Sequence, residues 1–311
     1  MTAEATLGAR PAESSLWPAL VLLFSASLWG LSWWPLKQFS AAGLSGPVVC
    51  LMTYGAVGLC TSFLVWRERR QWRVQTGVLL AIIAVGGWAN SAFVQALVLG
   101  DVVRVMLLFY LSPVWSVLGG WLLLGEPLRP RRVLAVVFAL VGLWLVLGGS
   151  RAFDTAPSLS DLLALTAGIA FAGNNLLARA GQSIPVASKS IAVFMGCGLW
   201  SVVMIVAGGH AWPAPALLVQ PLGLAVFSYG LLWMGLATLT WQYGVTHVES
   251  GRAGVVLIAE LLVAVASSSW VNGTTLAPME WLGGGLIAAA ALIETTSGVP
   301  AEPPIRTKES A

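Results

Sequence analysis

Apolar residues neither alternate with polar ones along this chain nor keep to one helical face. They fill long stretches on all sides. Ten such stretches, at about 16–36, 46–66, 76–98, 102–124, 130–148, 159–180, 188–208, 217–243, 253–271 and 278–296, stand out. Each is close to the ~20 residues that an α-helix needs to cross ~30 Å of hydrocarbon. A transmembrane barrel would instead alternate with period two in segments of ~10 residues. The pattern therefore predicts an all-α integral membrane protein with ten transmembrane helices. Between them lie short loops, with a leader at 1–15 and a tail at 297–311.

Composition agrees with the pattern. Of 311 residues, 58% are hydrophobic and 9% charged, against about 25% charged in soluble domains, and mean hydropathy is +0.84. A soluble enzyme, a disordered chain and a secreted disulfide scaffold are excluded. The first stretch is too long for the apolar core of a cleavable signal, and its leader carries only Glu4, Arg10 and Glu13. Cys50, Cys60 and Cys197 are odd in number and lie within spans, which argues against a disulfide framework.

The few charges set the expected orientation. With the N-terminus cytoplasmic, the inner segments hold 13 of the 16 Lys and Arg residues, and only Lys37, Arg104 and Arg151 lie outside. Arg179 and Lys189 count among the inner loop residues. The positive-inside rule then places both termini in the cytoplasm. The net charge of +3 thus reports topology. Scattered basic residues make no nucleic-acid patch.

The chain also repeats itself. A shift of 148 residues lays Asp101 on Glu249, Arg104 on Arg252, Gly125 on Gly273, Leu128 on Leu276 and Pro130 on Pro278. Near the front of each half a shift of 142 lays Trp29 on Phe171, Gly30 on Ala172, Ser32 on Asn174, Trp33 on Asn175 and Lys37 on Arg179. Two units of five spans follow, 16–150 and 151–296. An odd number of spans inverts the second unit in the membrane. Inverted repeats mark secondary transporters, whose substrate site lies near the midplane between the repeats.

Motifs for other classes are missing. No lysine follows a Gly-x-x-x-x-Gly, so no P-loop drives ATP-powered pumping. His210 and His247 belong to no metal-ligand cluster, and no Gly-x-Ser-x-Gly nucleophile elbow occurs. The sequence shows no catalytic residues, no cofactor site and no metal site, and the chain is expected not to be an enzyme.

The stretch from Leu111 through Pro113, Trp115, Gly119, Gly120 and Gly125-Glu126-Pro127-Leu128, with Trp29-Gly30 in the first span, resembles the drug/metabolite transporter superfamily in its EamA-type, two-repeat branch. Within it the Trp-rich make-up is most similar to the bacterial aromatic amino acid exporters. The second half departs from the pattern, since Leu261 stands where Pro113 does and Thr274 where Glu126 does. The resemblance implies a helical basket whose spans 1, 3, 4, 6, 8 and 9 line a central cavity, with spans 5 and 10 as scaffold.

Polar groups inside a bilayer are costly and by default functional. Glu260 is the carboxylate well inside a span; Asp161, Glu280 and Glu294 sit at span ends. It can bind a substrate ammonium, carry a coupling proton, or act as a structural hydrogen-bonding group. Asn90, Asn174 and Asn175 suit a zwitterionic backbone or plain helix–helix bonding. Tyr110 and Pro113 fall one turn apart; Pro113 frees the Phe109 carbonyl and makes a hinge or a passive kink. Trp17, Trp66, Trp72, Trp212 and Trp281 suit interfacial belts. Trp88, Trp115 and Trp233 are central, and Trp29, Trp33 and Trp241 lie between centre and end. Such rings stack on an aromatic substrate or fill helix packing. Gly283, Gly284 and Gly285 suit close helix contact.

The expectation is a bacterial inner-membrane secondary transporter that exports small amphipathic metabolites, aromatic and other apolar amino acids first, by alternating access. Substrate contacts are expected from Asn90, Trp88, Tyr110, Trp29, Trp33, Asn174, Asn175, Trp233 and Glu260, a hinge at Pro113, and proton coupling at Glu260. Alternatives are a lipophilic-cation drug exporter and a passive pore. Partners are the small-molecule substrate and the lipid bilayer, with monomer and homodimer both open.

Overall fold

The computed structural model describes residues 17–100, 102–125, 128–146, 156–248, 250–273, 275 and 277–296. The leader 1–15, the tail 297–311 and the loop residues Asp101, Glu126, Pro127, Arg151, Asp154, Glu249, Thr274 and Leu276 lie outside the described residues. So do the side chains of Arg252, Glu280 and Glu294.

The described chain is helical, without strands among the described residues. Six helices are long and apolar enough to cross a membrane: α1 Trp17–Ala41, α2 Gly46–Arg67, α3 Thr76–Leu99, α6 Leu159–Ala180, α7 Val186–Gly208 and α8 Pro221–His247. Between and after them run α4a Val102–Phe109, α4b Ser112–Leu124, α5 Pro130–Val146, α9 Ser250–Asn272 and α10 Pro278–Thr296. This is a multi-pass membrane architecture.

Local chemistry sets the ends. Ser158 caps α6 through a reciprocal pair with Asp161: the Asp161 N–H donates to Ser158 Oγ at 3.4 Å and the Ser158 N–H to Asp161 Oδ2 at 2.8 Å. Gly125 ends α4b at φ +66°, a left-handed conformation that glycine adopts without steric penalty. The span expected at 217–243 shifts to Pro221–His247, because Pro215–Val219 forms its own 3₁₀ turn and Pro221 takes the first helical turn. α4 breaks at Tyr110–Leu111, just ahead of Pro113, which has no N–H to return to the Phe109 carbonyl.

The helices pack through small residues. α3 lies against both α6 and α7, α1 against α8 and α9, α4 against α6 and α9, and α5 and α10 against each other. At the α3–α7 crossing Gly87 and Gly196 meet backbone to backbone, with no room for a Cβ on either. A Cβ on Gly168 would stand 2.6 Å from the Phe109 carbonyl oxygen, and one on Gly142 2.6 Å from the Gly283 carbonyl oxygen. Lipid tails are as apolar as leucine, so close van der Waals approach of this kind is what holds such helices together. Large apolar side chains such as Leu23, Phe24, Val137, Leu199 and Val206 point outward.

Gly87→Leu should therefore lower stability in detergent by overpacking, by about 1–3 kcal/mol. Gly77→Ala, at a position with open space around it, should stay within about 0.5 kcal/mol. Thermal unfolding of the two purified variants checks the contrast; equal midpoints would show that the α3–α7 crossing yields without loss.

Candidate functional site

Six of these elements converge on one enclosed space. Trp29 comes from α1, Ala89, Asn90 and Phe93 from α3, Phe109 from the end of α4a, Phe171 from α6, Trp241 from α8 and Glu260 from α9. Neither α5 nor α10 reaches it. Five rings form a continuous chain: Trp29 to Phe93 at 6.5 Å between centroids, Phe93 to Phe109 at 4.3 Å, Phe109 to Phe171 at 5.2 Å and Phe171 to Trp241 at 5.2 Å. The rings nearly fill the space. Its free volume is about 10 Å³, room for about one water, whereas small-molecule pockets run from about 300 Å³. A small molecule would fit here only if the rings moved apart.

The polar groups in this lining are few. Glu260 is 3% exposed, and its Oε1 has no hydrogen bond. Tyr110 faces it across the α4–α9 contact, and the Tyr110 hydroxyl likewise has no partner of good geometry. α9 can bring Glu260 this far in because Gly30 lets α1 approach: a Cβ there would stand 2.5 Å from the Glu260 carbonyl oxygen. Asn90 Nδ2 donates to the Gly86 carbonyl one turn back at 2.8 Å. That bond uses one of the two amide N–H groups and leaves the other, with Oδ1, outside it.

Trp29, Asn90 and Glu260 are brought together as expected sites. The other expected residues lie around this cavity, outside its lining. Asn175 Oδ1 accepts from Trp241 Nε1 at 3.2 Å and so holds a lining ring in place. Asn174 packs against Gly86 of α3, its Oδ1 without a partner. Tyr110 stands behind Glu260, and Pro113 behind the break in α4.

Three tryptophans expected as substrate contacts serve helix packing. Trp33 Nε1 donates to Ser267 Oγ at 3.0 Å, joining α1 to α9. Trp233 Nε1 donates to the Leu28 carbonyl at 2.9 Å, joining α8 to α1. Trp88 meets Trp200 edge to face at 4.8 Å, and Trp200 Nε1 donates to the Ala84 carbonyl at 2.8 Å, joining α7 to α3. An indole has one N–H and a large apolar body. In Trp33 and Trp233 that N–H is taken by a neighbouring helix's acceptor, and the ring stands outside the lining.

Lys189 corrects the sequence expectation most sharply. It is no loop residue: α7 begins at Val186, and Lys189 is completely buried. Its Nζ donates to the Ala178 carbonyl in the last turn of α6 at 2.8 Å and to Thr246 Oγ1 at the end of α8 at 3.1 Å. A cation suits the C-terminal end of a helix dipole. Beside it Ser188 Oγ donates to Glu68 Oε2 and accepts from Trp72 Nε1, and Arg179 donates to the Val248 carbonyl at 3.3 Å. Arg104 pairs with Asp161 at 2.7 Å, joining α4a to the start of α6.

Ala89, Phe93, Phe109, Phe171 and Trp241 complete the lining; of these the sequence singled out Trp241, as a ring that stacks on substrate or fills helix packing. One signal in the sequence links three of these rings. The 142-residue shift lays Trp29 on Phe171, and the 148-residue shift lays Phe93 on Trp241.

A family model described as the EamA-like transporter family matches residues 16–148, a stretch that holds α1 through α5. This is a family of membrane transporters of the drug/metabolite type. A solved crystal structure is similar over 90% of this chain and 99% of its own, with a TM-score of 0.69 at 21% sequence identity. The likeness is one of fold. No curated protein matches the chain.

The Trp241–Asn175 bond should be measurable in a double-mutant cycle. Trp241→Phe and Asn175→Ala should each destabilise the protein, and the double variant should lose less than their sum, with a coupling of about 0.6–1.7 kcal/mol. Unfolding of the four proteins in detergent measures this; strictly additive losses would show the bond idle.

Proposed function

We propose that the chain is a secondary transporter that moves small aromatic amphipaths by alternating access, with ten transmembrane helices in two inverted repeats. Both termini lie in the cytoplasm, and a bacterial inner membrane is its place. The observation that carries the reading is the ring-lined, closed space where α1, α3, α4, α6, α8 and α9 meet, with Glu260 inside it. A transporter must seal its site from both sides at some point in its cycle, whereas a passive pore needs a continuous conduit.

Three features support the inverted repeat. The contacts pair across the halves: α1 with α9 as α6 with α4, and α1 with α8 as α6 with α3. The capping glycines Gly125 and Gly273, laid together by the 148-residue shift, have φ of +66° and +64°. Trp29 with Phe171, and Phe93 with Trp241, stand at matching positions and line the same space. Rocking of one repeat against the other around such a centre is the usual route to alternating access.

Export of aromatic and other apolar amino acids is the cargo reading that the resemblance supports. Glu260, a buried carboxylate among rings, supports a second, cationic cargo. It is also the residue proposed to carry a coupling proton, with the Tyr110 hydroxyl facing it.

Purified protein in proteoliposomes should give saturable uptake and counterflow with labelled tryptophan, phenylalanine or a quaternary ammonium drug. Flux linear in concentration, without counterflow, would mean a pore. Glu260→Gln should abolish stimulation by a pH gradient while substrate binding stays detectable; gradient dependence equal to that of the unaltered protein would remove Glu260 from coupling.

A further inference from the structure

The described lining of the central space is unbalanced in charge. Its one ionisable side chain is the Glu260 carboxyl, and its other acceptor is the Asn90 amide oxygen. Its donors are neutral. Asn90 Nδ2 uses one of its two N–H groups on the Gly86 carbonyl, and Trp241 Nε1 is bound to Asn175. Ala89, Phe93, Phe109 and Phe171 have no side-chain donor. The second Asn90 N–H and the Trp29 indole N–H remain, and the Tyr110 hydroxyl stands behind Glu260.

None of the described lining residues is basic. The Lys189 ammonium is held by Ala178 and Thr246, and Ala178 lies seven residues, about two helical turns, beyond Phe171 along α6. The guanidinium of Arg104 is bound to Asp161 at the opposite end of α6.

Resting on the transporter reading above, we infer that this site takes a protonated aromatic amine, a ring bearing N–H donors and no carboxylate. The ammonium N–H groups of such a molecule meet both open acceptors, Glu260 and Asn90. Its positive charge is attracted to the faces of the surrounding rings, and its own ring stacks among them. An aromatic amino acid brings the same ring and ammonium but adds a carboxylate. That group would be placed beside Glu260 with only neutral donors to meet it, a like-charge juxtaposition with no cation among the described lining residues to offset it. A quaternary ammonium keeps the charge but has no N–H for the Asn90 acceptor. The lining thus discriminates on both sides of the amine.

Tritiated tryptamine binding to the purified full-length protein, read by scintillation proximity, tests this directly. Unlabelled tryptamine and phenethylamine should displace the label. Tryptophan and phenylalanine should be weaker competitors by about 100-fold or more, since like charges brought together cost several kcal/mol. Neutral indole should also compete poorly. Glu260→Gln should weaken tryptamine by about 10–100-fold, the worth of a hydrogen bond to a charged group, with Glu260→Asp recovering part of the loss. The competition series uses the unaltered chain, so it stands even where a Glu260 variant does not fold. Tryptophan competing within tenfold of tryptamine, or binding where tryptamine does not, overturns the amine assignment. The two readings fail separately: tryptophan counterflow without amine binding overturns the cargo class alone. Amine binding without counterflow of any compound supports the site and overturns transport.

Discussion

In hydrocarbon there is no water to satisfy a polar group, so every donor and acceptor must find its partner inside the protein. The rest of this structure follows from that constraint. Ser25 of α1 reaches the Ala237 carbonyl of α8 at 2.7 Å. Ser91 of α3 reaches the Cys197 carbonyl of α7 at 3.3 Å. Trp33, Trp200, Trp233 and Trp241 each use their one N–H on another helix. Thr61, Thr166 and Thr240 return theirs to the carbonyl one turn back. Satisfying these groups joins the helices in pairs, and the glycines at the crossings set how close each pair comes.

At the site this satisfaction is incomplete, as it also is at Tyr54, Tyr229 and Gln242 elsewhere in the bundle. Glu260 Oε1 and the Tyr110 hydroxyl face each other without a settled bond, next to the break that Pro113 puts into α4. Gly168 of α6 covers the Phe109 carbonyl that Pro113 leaves free. Broken helix and small residue belong together, since a freed carbonyl in a membrane must be buried in protein. Phe109 thereby sits at the end of a helical segment, where its ring can be aimed at the cavity.

Much of the fold was legible in the sequence because the span signal is physical: enough apolar residues in a row to cross a bilayer. The helices keep to those stretches within a few residues, the larger departures being α1, which runs five residues past the expected end to Ala41, and the four-residue shift of α8 behind Pro221. At the site, Trp29, Asn90 and Glu260 were legible, the polar pair because its placement is costly. Phe93, Phe109 and Phe171 were not, because a phenylalanine in an apolar helix looks the same whether it faces a cavity, a neighbour or lipid. Trp33 and Trp233 lie outside the lining because depth in the membrane says nothing about which acceptor an indole N–H will find, and Trp88 because its ring meets Trp200. Lys189 looked like a loop residue because it stands three residues inside the start of α7, and no local pattern reveals that Ala178 and Thr246 will meet it there.

The proposed repeats are close to symmetric in their scaffold and asymmetric in their chemistry. The 148-residue shift lays Ser112 on Glu260 and Pro113 on Leu261, so the carboxylate belongs to one half and the break to the other. These two residues sit on α4 and α9, the related helices that touch each other across the centre. A strictly symmetric pair would place two carboxylates, or two breaks, face to face. Two buried carboxylates so close would repel and could not both stay charged. Dividing the roles avoids this. On the transport reading proposed above, one half would supply the group that meets the cargo and the other the broken helix that can yield to it, and the contact between them would join occupancy of the site to movement of α4.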